Sequence, residues 1–233
     1  MKIKIHFIYL AVFTVLIKFP INLNLSFNEL FIISNYYMNG SYLLDIFHTL
    51  KYCMPLLVIM LFVMLDINNI EENKWIISSR IGGNKKLKRY INKIVLIKSL
   101  EYTFIYFLIE LILIFLISGK VEFDFVLIIS LFLQLYLSVL VLGNIYRVII
   151  IIFNTSVSAL IEYVVIISLT STCFYLVYFD LIDISKLIFV TSNYTISIYN
   201  IPTVIDLSVV IISLILSIAL KVCIFKLKEE KND

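Results

Sequence analysis

The chain has 233 residues, 62% of them hydrophobic and 15% charged, with a formal net charge of +3. Its mean hydropathy is +1.05 and its pI about 8.6. A soluble domain is nearer about half apolar and a quarter charged, so this balance excludes an ordinary water-solvated surface, and the long apolar runs point to a membrane protein.

Six apolar segments follow in chain order: Ile5–Phe19, Leu43–Leu65, Ile94–Ser118, Phe125–Ile145, Val157–Phe179 and Val204–Phe225. Most reach the roughly 20 residues that cross ~30 Å of hydrocarbon. The first is short and carries Lys18 near its end, where a lysine can snorkel to the interface. Lys2 and Lys4 ahead of it give it the outline of a signal peptide. No small-x-small cleavage site follows, only Phe19, Pro20, Ile21 and Asn22, so a retained span is expected. The expected fold class is all-α: a polytopic membrane protein with six transmembrane helices in one domain over residues 1–233. No internal repeat or low-complexity linker divides it.

Orientation follows from lysine and arginine. With the N-terminus inside, the inner segments hold Lys2 and Lys4, a cluster from Lys74 to Lys93, then Arg147, then Lys221, Lys226, Lys228 and Lys231. The outer loops hold only Lys120 and Lys186. Both termini are therefore expected inside. The outer segments Ile21–Tyr42 and Asp180–Thr203 are long yet not very polar. Short interfacial or re-entrant helices are expected there.

The cytoplasmic segment between the second and third spans is unlike the rest of the chain. It holds Trp75, the only tryptophan, the pair Gly82-Gly83, and the cations Arg80, Lys85, Lys86, Lys88, Arg89 and Lys93. Ahead of the glycines, Ile67, Ile70, Ile77 and Ile81 fall in one narrow arc at helical spacing, with Asp66, Glu71 and Glu72 among them. This predicts a short amphipathic helix broken by the glycines. Asn84 is the expected N-cap of a second helix, in which Leu87, Ile91 and Ile94 share a face. That helix runs into the third span without a stop signal, so Asn84–Ser118 is expected to project about ten residues beyond the bilayer. Anchoring to anionic lipid accounts for the cations, at about 1 kcal/mol each. It does not account for two helices and an elbow, which suit a docking lever.

The pattern Glu71-Glu72, Trp75, Arg80, Ile81, Gly82, then Lys85-Lys86 before the third span resembles the inner loop of six-span permeases of ATP-binding-cassette exporters. These include permeases of bacteriocin, lantibiotic and peptide export or immunity. The resemblance implies that Asp66–Asn84 is a coupling helix seated on a cytoplasmic ATPase subunit, with Glu71, Glu72, Trp75, Arg80, Gly82 and Gly83 at the contact. It implies a second permease, as homodimer or heterodimer, and a place in the bacterial cytoplasmic membrane. It also implies export of peptides or of hydrophobic or amphipathic compounds. Asn84 departs from the pattern, since a basic residue is common at that position.

This chain is not expected to be an enzyme. "GGNKK" lacks the spaced glycines and the hydroxyl of a phosphate loop, so no cofactor is expected here, and ATP and magnesium belong to the partner. No nucleic-acid partner is expected. His6 and His48 lie near opposite faces, which rules out a shared metal site. Cys53, Cys173 and Cys223 sit in apolar runs and read as packing residues. A non-transporting membrane scaffold or sensor/immunity protein is the alternative function.

Within the spans, Ser99, Tyr102, Tyr106 and Glu110 form one polar stripe, and Ser130, Gln134 and Ser138 another. Glu110 is expected ~12 Å deep from the outer end and facing Gln134 or the bundle interior. Tyr102, Tyr106, Glu110 and Gln134 are the candidate lining of a translocation path, or else interhelical glue. Arg147 and Glu162 flank the turn between spans four and five and are expected to form an ion pair.

Overall fold

The computed structural model describes residues 2–18, 37–38, 46–118, 125–153, 155–178 and 195–196, with short helical pieces at 215–216, 218–220 and 222–223. The described elements are six helices and one minimal strand pair. The helices are α1 (Lys2–Lys18), α2 (Ile46–Glu72), α3 (Lys74–Ile81), α4 (Asn84–Ile117), α5 (Phe125–Ile152) and α6 (Thr155–Tyr178). Among the described residues, three helical segments are long and apolar enough to cross a membrane: Cys53–Glu72, Lys86–Ile117 and Leu131–Ile152. Two shorter apolar helices, Ile5–Ile17 and Val157–Thr172, accompany them. Most of the expected sixth span, Val204–Phe225, lies outside the described residues, as do Cys173 and Ser130 at the level of their side chains.

Side-chain placement on α4 explains why the bundle suits lipid. Its exposed face carries Leu96, Leu100, Phe104, Leu108, Ile112 and Phe115. Its buried face carries Ser99, Tyr102, Thr103, Tyr106 and Glu110. In water this arrangement would be inside out. In hydrocarbon, aliphatic side chains cost nothing on the outside, and polar groups must find one another within. Pro55 lies inside α2 and withholds one N–H from its ladder, a loss that spanning helices tolerate.

The register between helices comes from their contacts. The rings of Phe7 and Phe62 lie 5.0 Å apart, and Phe7 and Tyr102 4.9 Å apart, which ties α1 to α2 and α4. Val95 of α4 lies beside Gly143 of α5, and Phe132 of α5 stacks 5.5 Å from Phe107 of α4. Rising numbers on α4 thus match falling numbers on α5, as in antiparallel neighbours. By the same test α2 and α5 run parallel, since Val63 lies beside Gly143 and Asn68 bonds Tyr146. The end of α2, all of α3, the start of α4, the end of α5 and the start of α6 therefore meet at one end of the bundle. The exposed cations Lys74, Arg80, Lys86, Arg89 and Lys93 collect at that end.

Several boundaries differ from the sequence expectations. α2 continues past Leu65 to Glu72, and α5 past Ile145 to Ile152. Ile67 and Ile70 are buried on the last turns of α2 and do not share a helix with Ile77 and Ile81. The chain breaks instead at Asn73, whose side-chain amide donates to the Asn69 carbonyl at 2.8 Å. Gly83, not Asn84, is the N-cap of α4, and Asn84 is its first helical residue. In the outer segments the described residues are extended: Tyr37–Met38 pairs in parallel with Thr195–Ile196. There the expected short helices are absent, as suits β-favouring Tyr, Thr and Ile. The rest of both segments lies outside the described residues.

Candidate functional site

The basic end presents the elbow. α3 has eight residues and buries none of them. Ile77 and Ile81 are half-buried on one side. The opposite side shows Trp75 (85% exposed), Ile76, Ser79 and Arg80. Two large apolar side chains beside a guanidinium, all facing outward, have the composition of an interface core. Glu72 is exposed with them. Glu71 is not: it is half-buried, and its charge reaches Arg147.

Backbone geometry sets the elbow's shape. Gly82 has φ 87° and ψ 47°, the left-handed conformation of a helix C-cap. The N–H groups of Gly82 and Gly83 both donate to the Ser78 carbonyl, at 3.1 and 3.0 Å, and close the end of α3. Gly83 has φ 110° and ψ 168°, a region that side chains essentially exclude. Leu87 N–H donates to the Gly83 carbonyl at 3.1 Å and opens α4. α4 then runs unbroken for 34 residues, so the elbow and the apolar span are one rigid rod. At 1.5 Å per residue that rod is ~50 Å long, well beyond the ~30 Å hydrocarbon layer.

Inward of the elbow, polar side chains join the helices. The Tyr102 hydroxyl donates to Asp66 Oδ2 at 2.8 Å. Lys98 Nζ lies 2.8 Å from Glu101 and 3.8 Å from Asp66, and 5.7 Å from the centre of the Tyr102 ring. The Tyr146 hydroxyl donates to Asn68 Oδ1 at 2.8 Å. The buried Arg147 guanidinium donates to Asn92 Oδ1. Asp66 and Asn68 of α2, Asn92 and Tyr102 of α4, and Tyr146 and Arg147 of α5 thus form a polar belt across three helices. Asn92 was absent from the sequence reading. It is a lone amide at the edge of the basic run, and only its buried partner distinguishes it. Tyr102→Phe keeps the ring cluster and removes only the Asp66 bond. It is expected to cost about 1 kcal/mol in a detergent unfolding series, whereas Tyr102→Ala, which also empties the aromatic site, should cost about 3.

Deeper in the bundle, Tyr106, Glu110 and Gln134 are buried. The α4–α5 register, set by Arg147 on Asn92 and Val95 on Gly143, places Gln134 level with residues 104–106. Gln134 therefore stands beside the Tyr106 level, with Glu110 about one turn further from the basic end. Gly143 marks the tightest approach. A Cβ there would lie 3.3 Å from Val95 Cγ1, 3.6 Å from Val63 Cγ1 and 3.9 Å from Ser99 Oγ.

The expected Arg147–Glu162 pair is not formed. α5 continues past the expected turn, so Arg147 lies inside it and points to α4. Glu162 of α6 is fully buried, and neither of its carboxyl oxygens has a hydrogen-bond partner among the described residues. No group of three or more His, Cys, Asp or Glu side chains able to hold a metal ion occurs among the described residues. His6 lies beside Phe7 and so near the Phe62 level of α2, while His48 is in the first turn of that helix, more than a dozen residues away. Comparison of the chain with protein-family models, curated proteins and solved structures returns no match.

Proposed function

We propose that the chain is the membrane-spanning permease subunit of an ATP-binding-cassette exporter, with six spans, both termini in the cytoplasm and the basic end facing inward. The observation that carries this reading is α3. It is an eight-residue helix with no buried residue, displaying Trp75, Ile76 and Arg80 on a glycine elbow joined to a spanning rod. Water alone gives no reason to expose a tryptophan and an isoleucine together, and a lipid anchor needs no rigid lever. A cytoplasmic subunit that changes shape on ATP hydrolysis could push on α3 and turn α4. The buried face of α4, with Tyr102, Tyr106 and Glu110, would then face a path shared with a second permease. Exported peptides or amphipathic compounds fit such a half-polar lining.

Co-purification from membranes tests this. Wild type is expected to retain a stoichiometric ATPase. Arg80→Glu and Trp75→Ala are each expected to weaken that retention by about 30-fold, the effect of losing a hot spot of about 2 kcal/mol, while the bundle itself stays folded. Absence of an ATPase from wild type, or full retention by both variants, would defeat the reading.

A further inference from the structure

Glu162 is the one buried acid among the described residues for which the structure provides no partner. It sits on α6 in line with the buried Ser158, Ile166 and Thr170, on the face packed against α2 and α5. On α5, Tyr146 is the titratable side chain within its electrostatic reach, and that hydroxyl is committed to Asn68. Arg147, the cation next along α5, is turned about 100° away and occupied by Asn92 and Glu71. On α2, Asp66 and Glu71 are engaged with Tyr102, Lys98 and Arg147, and Cys53 with Thr170. Among the described residues, therefore, no cation balances a charge on Glu162.

A bare carboxylate sealed from water among helices is far more costly than the neutral acid, so such a group takes up a proton. A bound metal ion is the poorer solution, because it needs several converging oxygens and this site offers one carboxyl group. We infer that Glu162 is a proton-binding site within the bundle, loaded while α5 and α6 are packed as seen here. Separation of these helices at the basic end would admit water, which accepts the proton as hydronium and leaves a carboxylate. Opening of the basic end is thereby tied to release of one proton. The inference does not depend on the permease assignment.

Infrared spectroscopy of the full chain in lipid nanodiscs tests it. The wild-type minus Glu162→Gln difference spectrum at neutral pH is expected to contain the carbonyl band of a protonated carboxylic acid, shifted in D2O. Glu162→Gln, the neutral isostere, is expected to fold as wild type does, and Glu162→Asp to keep an acid band at a displaced frequency. A difference spectrum that lacks the acid band or shows carboxylate bands instead would overturn the inference. So would collapse of the fold in Glu162→Gln while Glu162→Asp survives, since that would mean a charge is required there.

Discussion

Gly143→Leu is expected to lower the stability of the bundle by about 3 kcal/mol or more, the upper range for overpacking a close-packed interior. A single added carbon already falls 3.3 Å from Val95 Cγ1 and 3.6 Å from Val63 Cγ1, on two different helices. Neither valine can turn aside easily, because β-branching fixes its χ1 in a helix. Gly143→Ala is the informative control. Alanine recovers up to about 1 kcal/mol of helix propensity over glycine, which offsets a contact that must yield by a few tenths of an ångström, so the net change should be small. Leucine adds three more carbons beyond a Cβ that already touches Val95 and Val63, so α2, α4 and α5 must move apart. Thermal unfolding in detergent measures the loss. Adding Val95→Ala to Gly143→Leu should recover part of it, a coupling expected of contacting residues. Equal stability of Gly143→Leu and wild type would mean that the three helices do not meet at Gly143.

That residue also shows where the sequence is hard to read. A lone glycine in an apolar run resembles any small spacer, and its role depends on two valines from distant segments. The elbow was legible for the opposite reason: paired glycines carry their own backbone geometry, and the structure gives both a positive φ. The polar stripe from Ser99 to Glu110 was legible too, because helical spacing alone puts those side chains on one face, and all of them are buried. Helix ends were misplaced where hydropathy stood in for backbone chemistry. Polarity rises at Asp66 and again near Asn144, but neither is followed by a proline or a glycine that would end a helix. The polar groups there are satisfied across helices by Tyr102, Asn68 and Asn92, so α2 and α5 simply continue. The Arg147–Glu162 pair failed for the same reason. Nearness to a supposed turn suggested it, and the extension of α5 rotated Arg147 toward α4.

The elbow yields the second large effect. Gly82→Val with Gly83→Val is expected to detach α3 from α4 while leaving the spanning bundle intact. Two opposing magnitudes decide this. A side chain in the left-handed region costs about 1–2 kcal/mol, and the Gly83 region, all but closed to side chains, costs about 1–3, so the pair costs roughly 2–5, midway about 3.5. Holding α3 in place are two half-buried isoleucines, each contributing about 1 kcal/mol, since full burial of such a side chain gives only about 1.5–3. An eight-residue helix also has little stability of its own. Strain therefore exceeds packing, and α3 is released. Crowding plays no part: an added Cβ at Gly82 meets only the flexible end of Lys86, and at Gly83 it meets nothing. The single substitutions separate the two positions. Gly82→Asn should be tolerated, because asparagine adopts the left-handed conformation, whereas Gly83→Asn should not. Trypsin cleavage after Arg80 reads the outcome, with faster cutting in the double variant and in Gly83→Asn, and wild-type rates in Gly82→Asn. Because α3 buries no residue fully and adds only about 2 kcal/mol of packing, the unfolding temperature of the bundle should fall by no more than roughly 8 °C in any of these variants. Wild-type cleavage rates in the double variant would show that packing, and not the glycine backbone, fixes the angle of the lever.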